Sequence, residues 1–410
     1  MWLSWTRMMG AGSDVATSAR HKAVRWLAGG LTLGLWIAAA PAFGEVATPS
    51  GDPTAFVFSA NGNLYVGNST RVPGPVAANG SMLLDERVQV TSAVARRDIK
   101  FRLLTLITGD AISTDGGAQL SNQVRIVGNL AAERDVVVGV TARVDGDVMS
   151  TSGDVRLVRQ SMVLGDVYAD GEFRGDRDIR VGTPGSHVEV RGDALIRDRS
   201  EYFAAIMYEG TMSVLGVGAP VFHASVTQMS PGTLAAPSLP AWKLDTLSLE
   251  SANPSSSAMT VTSDMGPTAI PPGRYGALSI GQEAVVVLSP GVYDFDQITA
   301  QSDARIQMLL PAATDTITLR VRRDVKPGRR VAMDLMTNDG ALRRSRASRI
   351  LTMTGGSFRG DQDVTWSGAI LTGKDLFFGK HTTFRGATWS KGNTFVSRDS
   401  VLEWVPLPAD

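Results

Sequence analysis

The residues with the most evident chemical capacity in this 410-residue chain are paired carboxylates. Asp145/Asp147, Asp176/Asp178, Asp294/Asp296 and Asp361/Asp363 each set two acids two positions apart. On an extended strand such residues point to one side, so a pair can begin a Ca²⁺ site if carbonyls or a neighbouring segment complete about six to eight oxygens. Asp294, Asp296, Asp361 and Asp363 are the metal candidates on this reading. Asp-x-Asp at a turn is more commonly a solvated corner with Asx hydrogen bonding. No other cofactor is expected.

A basic cluster follows: Arg322, Arg323, Lys326, Arg329 and Arg330, then Arg343, Arg344, Arg346 and Arg349. Read as a solvated loop, it needs no function. Read as a surface patch, it would attract an acidic polysaccharide or a lipid headgroup. Arg-Gly-Asp occurs at Arg174, Arg191 and Arg359, but Gly-Asp is a turn signature throughout this chain and the chance reading suffices.

Nucleophilic chemistry has little to draw on. The chain has no Cys, so thiolate nucleophiles, thiolate metal sites and disulfides are excluded. Its four His (His21, His187, His223 and His381) lie far apart, without the i, i+4 spacing of a helical metal site. Neither a Gly-x-Ser-x-Gly elbow nor a Walker-type loop is present. No catalytic residue is assigned, and the chain is expected not to be an enzyme.

The elements that must position these residues are announced by repeats. Pro272-Gly273-Arg274-Tyr275 returns 18 residues later as Pro290-Gly291-Val292-Tyr293, Ile280 returns as Ile298, and the β-formers Val285–Leu288 lie between. Proline presets φ and glycine accepts a tight or left-handed corner, so Tyr275 and Tyr293 are expected to stack on adjacent coils. A second unit, aliphatic-x-Gly-Asn/Asp-small or apolar, places Gly at 128, 146, 165 and 192. A third echo runs from Trp366-Ser367-Gly368-Ala369 to Phe384-Arg385-Gly386-Ala387. A recurring period near 20 residues with a marked turn is the signature of stacked β-coils. Gly is abundant (43 residues) while aromatics are only 7%, which suits thin coils with an aliphatic interior.

The expected fold is therefore all-β: a parallel β-helix, right-handed by expectation, of about 18 residues per coil. About 12 to 15 coils would make a rod roughly 60–70 Å long. Residues 1–44 read as a secretory signal peptide, with Arg20, Lys22 and Arg25 ahead of an apolar run and small residues at the exit. Its removal leaves 36 of the 40 Lys and Arg and 39 of the 40 Asp and Glu, no footprint for nucleic acid. Residues 45–102 are read as an N-terminal cap region, 103–200 as a first β-helix block and 201–270 as an irregular Pro/Ser-rich connection. A second block follows over 271–410, with Trp404 and Pro406 as an end plug.

The repeat of residues 103–200 resembles bactofilin-type coils. The block from 271, with its Pro-Gly-x-Tyr pairs and Gly368-Ala369-Ile370, is similar to exported β-helix segments of bacterial surface proteins. The resemblance implies a β-helix and a cell-surface or pilus-associated setting, and supplies no catalytic residues. The expectation is a secreted structural or adhesion protein whose partners are polysaccharide, cell-surface components or further copies of itself, with no membrane span after cleavage. The alternatives are a β-helix polysaccharide lyase or hydrolase, and a polymer-forming scaffold. A groove of converging carboxylates would favour the first and an uncapped flat end the second.

Overall fold

A computed structural model of the chain describes residues 52–337 and 344–405. Contacts divide the chain into Met1–Ala40 and Pro41–Asp410. The expected signal peptide and Pro406 lie outside the described residues. In the second unit nearly every element is a strand of two to five residues, joined to its neighbours in parallel ladders. Two faces, A and B, are sheets of sixteen strands; face C consists of one eight-stranded and one seven-stranded sheet. Along face A, Phe58, Val76, Ala93, Ala111 and Leu130 stack in register, one coil every 17 to 19 residues. The parallel β-solenoid is thus as expected. At about 4.8 Å per strand, sixteen strands make a rod of about 72 Å, slightly longer than expected.

The order of coils along the rod is not their order along the chain. The first face-A strand, Phe58–Ala60, sits mid-sheet, paired on one side with Val76–Ala78 and on the other with Thr388–Ser390. From there the chain climbs to one end at Val226–Gln228. It then returns the full length of the rod and starts again at the opposite end with Met259–Val261, Thr268–Ile270 and Gly273–Arg274. The second run of coils finishes against the first coil. Phe58 packs there among Phe378 and Phe384, with ring centroids 6.1 and 6.4 Å away.

The return segment, residues 229–258, is a strap without strands. Thirty residues span at most about 100 Å when extended, so crossing about 72 Å requires a nearly straight path. The strap lies on the outer side of face A. Trp242 and Leu244 pack with Phe56, Ala77, Val94 and Ile112, Leu239 reaches the Ala131–Met149–Tyr168 group, and Leu247 and Leu249 cover Met353, Leu371 and Trp389. Asn79 holds it by accepting from the Leu244 N–H at 2.8 Å and donating to the Leu244 carbonyl at 3.2 Å. This explains a difference between faces. Apart from the end strand Val226–Gln228, three-residue strands of face A are buried at all three positions, because the central residue faces the strap; those of face B leave the central one half-buried or exposed.

Polar ladders explain the Gly-Asn/Asp unit. At the corner leading into face A, Asp110 accepts from the Asn129 N–H, Asn129 from Asp147, Asp147 from Asp166 and Asp166 from His187, all at 2.8–2.9 Å. Each side chain thus hydrogen-bonds the next coil's backbone, and fills the space where the next glycine would carry a Cβ. At Gly165 that atom would lie 2.2 Å from Asp147 Oδ1. At the left-handed position of the remaining corner, from face B to face C, these coils place a residue other than glycine. Arg87, Leu104, Gln123, Thr141, Gln160 and Asp178 occupy it in successive coils with φ of 54–61°.

Several expectations are corrected. Residues 58–101 are coils, not a cap. Their Asn-Gly and Pro-Gly turns join three-residue strands too short to read as regular. Coils continue through 228 and resume at 259, so the irregular segment is narrower than 201–270; Pro220 merely occupies a corner between two strands. Gly192-Asp193 belongs to the A-to-B corner, where Gly192 N–H donates to Gly171 O, and not to the corner of the other three copies. Trp404 lies on a mid-rod strand paired with Gly386 and plugs no end.

The tyrosine stack is corrected too. Gly273 pairs with Tyr293 and Arg274 with Asp294, a step of 20. Tyr275 therefore stacks on Phe295, at 5.4 Å and 23°, and Leu278, not Ile280, pairs with Ile298. Pro290 immediately precedes the strand Gly291–Phe295, and a Cβ on Gly291 (φ 139°) would lie 2.5 Å from Pro272 Cγ. The 18-residue echo around Gly368 and Gly386 is a true register: Trp366 pairs with Phe384 and Ile370 with Thr388.

Candidate binding face

The strap covers face A, whereas the outer side of face B carries exposed central residues. Where the two runs of coils meet, these form an aromatic row. Phe377 pairs with Phe395, Phe395 with Tyr65 and Tyr65 with Leu83. Each strand turns its flanking residues inward, as Leu376 and Phe378 do beside Phe377. The central ring has no interior to enter, and Phe377 and Phe395 are 43% and 39% exposed. The parallel ladder sets their backbones about 4.8 Å apart. Arg359 extends the row on one side and Lys100 on the other. Beside Phe377 and Phe395 lies a recess of about 460 Å³ bordered by Arg359, Asp361 and Asp375.

Tyr65 is held rigidly. Its hydroxyl donates to Asp85 Oδ2 at 2.7 Å, and Arg102 pairs with the same carboxylate at 3.2 Å. Burial, the hydrogen bond to Asp85 and that group's charge push the Tyr65 pKa up to about 12, so the ring stays neutral.

Around the A-to-B corner, a polar groove of about 800 Å³ between the coils and the strap begins at the coil of Tyr65 and runs away from Phe395 towards Arg134. Asn61, Asn63 and Asn79 line it, Arg96, Arg97, Arg134 and Lys243 contribute positive charge, and Asp98 and Asp115 offset part of that charge. Arg96 pairs with Asp115 at 2.5 Å. Arg97, Arg134 and Lys243 make no ion pair among the described residues. Such a groove can hold anionic groups while the row stacks against apolar ring faces.

The basic cluster read from the sequence is placed differently. Lys326 lies on the strand 325–327, and Arg322, Arg323, Arg329 and Arg330 occupy the tight corners that join it to strands 317–321 and 332–336, so the cluster is not one long loop. Nor is it unbalanced. Arg322 and Arg323 bind Asp296, Lys326 pairs with Asp324 at 3.1 Å, Arg329 with Asp363 at 3.6 Å and Arg330 with Asp303 at 2.5 Å. Arg344 carries no described side chain, and Arg346 donates to the Leu310 and Ala312 carbonyls.

The same pairs occupy the calcium candidates. Asp294 accepts two bonds from Arg320, at 2.8 and 2.9 Å. Burial pushes the Asp296 carboxyl up, but Arg322 and Arg323 outweigh it and hold its pKa below the ordinary value. Asp361 accepts from the Gln362 N–H and Asp363 contacts His381 at 3.1 Å. Among the described residues no three His, Asp or Glu converge as a metal site.

The row itself was missed. Phe377 and Phe395 are visible as an 18-residue echo, but only the inward Leu376 and Phe378 beside them reveal that they point outward. Tyr65 is 312 positions before Phe377 in the chain, and no local pattern joins them.

No helix among the described residues is long and apolar enough to cross a membrane. No family model and no curated protein matches the sequence. Among solved structures, the chain is similar to an ice binding protein from an Antarctic bacterium Flavobacteriaceae, at 8% identity and a TM-score of 0.25, over 87% of this chain and 98% of that one. The architecture rests on the strand ladders themselves, and this distant likeness assigns no site.

Proposed function

We propose that this chain is an exported, surface-associated structural element that holds an anionic polysaccharide along face B. The observation that carries the reading is the row Phe377–Phe395–Tyr65, built by three successive coils and continued along the rod, from the coil of Tyr65 onward, by the groove of Arg97, Arg134 and Lys243. Aromatic rings repeated along a rigid ladder suit an extended, repetitive ligand, which meets the same chemistry at each step. Export is inferred from the N-terminal leader. The absence of cysteine is compatible with it, because ladders and stacking, not disulfides, stabilise the rod. The role is binding without turnover: the paired carboxylates Asp294 and Asp296 are bound to arginines.

Retention on alginate beads tests this. Replacing Phe377 and Phe395 together by Ala should weaken retention about tenfold, at about 0.5–1.5 kcal/mol per stacked ring. Arg97→Gln with Arg134→Gln should weaken it and flatten its salt dependence. Unchanged retention in both variants would exclude this face. Depolymerisation of the polysaccharide by the purified chain would overturn the non-catalytic reading.

A further inference from the structure

The two ends of the rod differ. At the end built by Met212–Leu215, Val221–Phe222 and Val226–Gln228, the side chains that continue the interior have nothing above them. Val214 continues the column of Ile196, Phe222 that of Tyr202 and Val226 that of Ile206; the three lower residues are fully buried. Val214 is 50% exposed and Val226 39%, and Leu215, Val217 and Val221 are exposed beside them. The outer edges of these three strands have no partner strand. At the opposite end, the inward Val261 and Ile270 are 0% and 1% exposed. Pro271 and Pro272 flank the final strands there, and Asp264 and Arg274 bring charge.

Exposed strand edges are normally guarded by charge, proline or a covering segment. This one is not. From Thr211 to Trp242 the chain contains no Asp, Glu, Lys or Arg, a run of 32 residues in a sequence that is 20% charged. Its one titratable side chain, His223, is stacked on Phe203 at 4.2 Å.

We propose that the open end is a docking surface for the same end of a second copy of this chain, giving a head-to-head dimer. A two-fold axis across the rod brings each set of edge strands against its equal, and an uncharged apolar surface meets itself without like-charge repulsion. The far end also has unpaired strand edges, but its inward Val261 and Ile270 are already buried and Asp264 and Arg274 charge its rim, so it does not match the open end and assembly stops at two. This proposal does not depend on the polysaccharide reading.

Sedimentation and small-angle scattering test it on the chain starting at Glu45, with the full chain alongside. The expected result is a dimer in concentration-dependent equilibrium with monomer, with a longest dimension about twice that of one rod. Val217→Lys alters a fully exposed side chain (104%) and should raise the dimer dissociation constant at least about tenfold, with unchanged thermal unfolding of the monomer. Val214→Lys with Val226→Lys should abolish the dimer. A monomer at all concentrations, a filament, or a dimer indifferent to both variants would overturn the proposal. So would a dimer formed only when residues 1–44 are retained, which would assign the contact to that segment.

Discussion

The backbone N–H of Asn63 donates to Oδ1 of Asn393 at 2.9 Å, although 330 residues separate them. The bond is one rung of the polar ladder at the A-to-B corner, where Asp375 accepts from Asn393 and Asn63 from Ser81. The first and last coils of the chain are therefore consecutive coils of the rod. Each covers a face of the other that would otherwise be an open end, and the candidate binding row is completed only by their meeting.

Phe58 should measure the strength of that junction. It is fully buried against rings contributed by the last coils. Phe58→Ala should cost about 3–5 kcal/mol in guanidinium unfolding, as large-to-small changes in packed cores do. Phe377→Ala, on the exposed row, should cost less than about 1 kcal/mol. Equal losses would mean that the two runs of coils are not packed together.

Glu189 should make stability pH-dependent. It lies 1% exposed on face A beside Tyr168, and its Oε1 has no hydrogen-bond partner. Burial, then the charge of Asp166, raise its pKa to about 7. A carboxyl raised in the folded state remains protonated there while the unfolded chain ionises. Its stabilising proton uptake is therefore full below about pH 4.5 and lost as pH rises to about 7. Glu189→Gln should leave acid stability unchanged and raise the unfolding midpoint above pH 7. An equal gain at pH 4 and pH 8 would contradict the assignment.

The B-to-C corner should show its backbone strain. Gln123 sits at φ 58°, a left-handed conformation that costs a residue with a Cβ about 1–2 kcal/mol. Gln123→Asn should be neutral or slightly stabilising, while Gln123→Val, β-branched, should destabilise by about 1 kcal/mol or more. Thermal unfolding of the two variants would reveal the order, and a Val variant as stable as the Asn one would refute it.

Much of this architecture is legible in sequence because Gly-Asn/Asp ladders and Gly368/Gly386 recur at the coil step. The B-to-C corner is not, since Arg87, Leu104 and Gln123 share a conformation and no chemistry. The strap also escaped notice, although the central residues Ala77, Val94, Ile112, Ala131, Met149 and Tyr168 form an apolar series at the coil period. That series is the sign of a face buried on both sides. The junction was invisible because periodicity reports neighbours in sequence, and Phe58 finds its neighbour at Thr388. The basic cluster misled for a related reason: its acidic partners Asp296, Asp303 and Asp363 lie on neighbouring coils, roughly 26 to 34 residues away.

Hydroxyl-radical footprinting of the chain with and without saturating alginate tests the binding face most directly. The account predicts protection of Phe377, Phe395 and Tyr65, with Leu83 and the groove around Arg97 and Arg134 protected less strongly. Unchanged oxidation of the three rings, with protection confined to residues 322–330 or found nowhere, would contradict it.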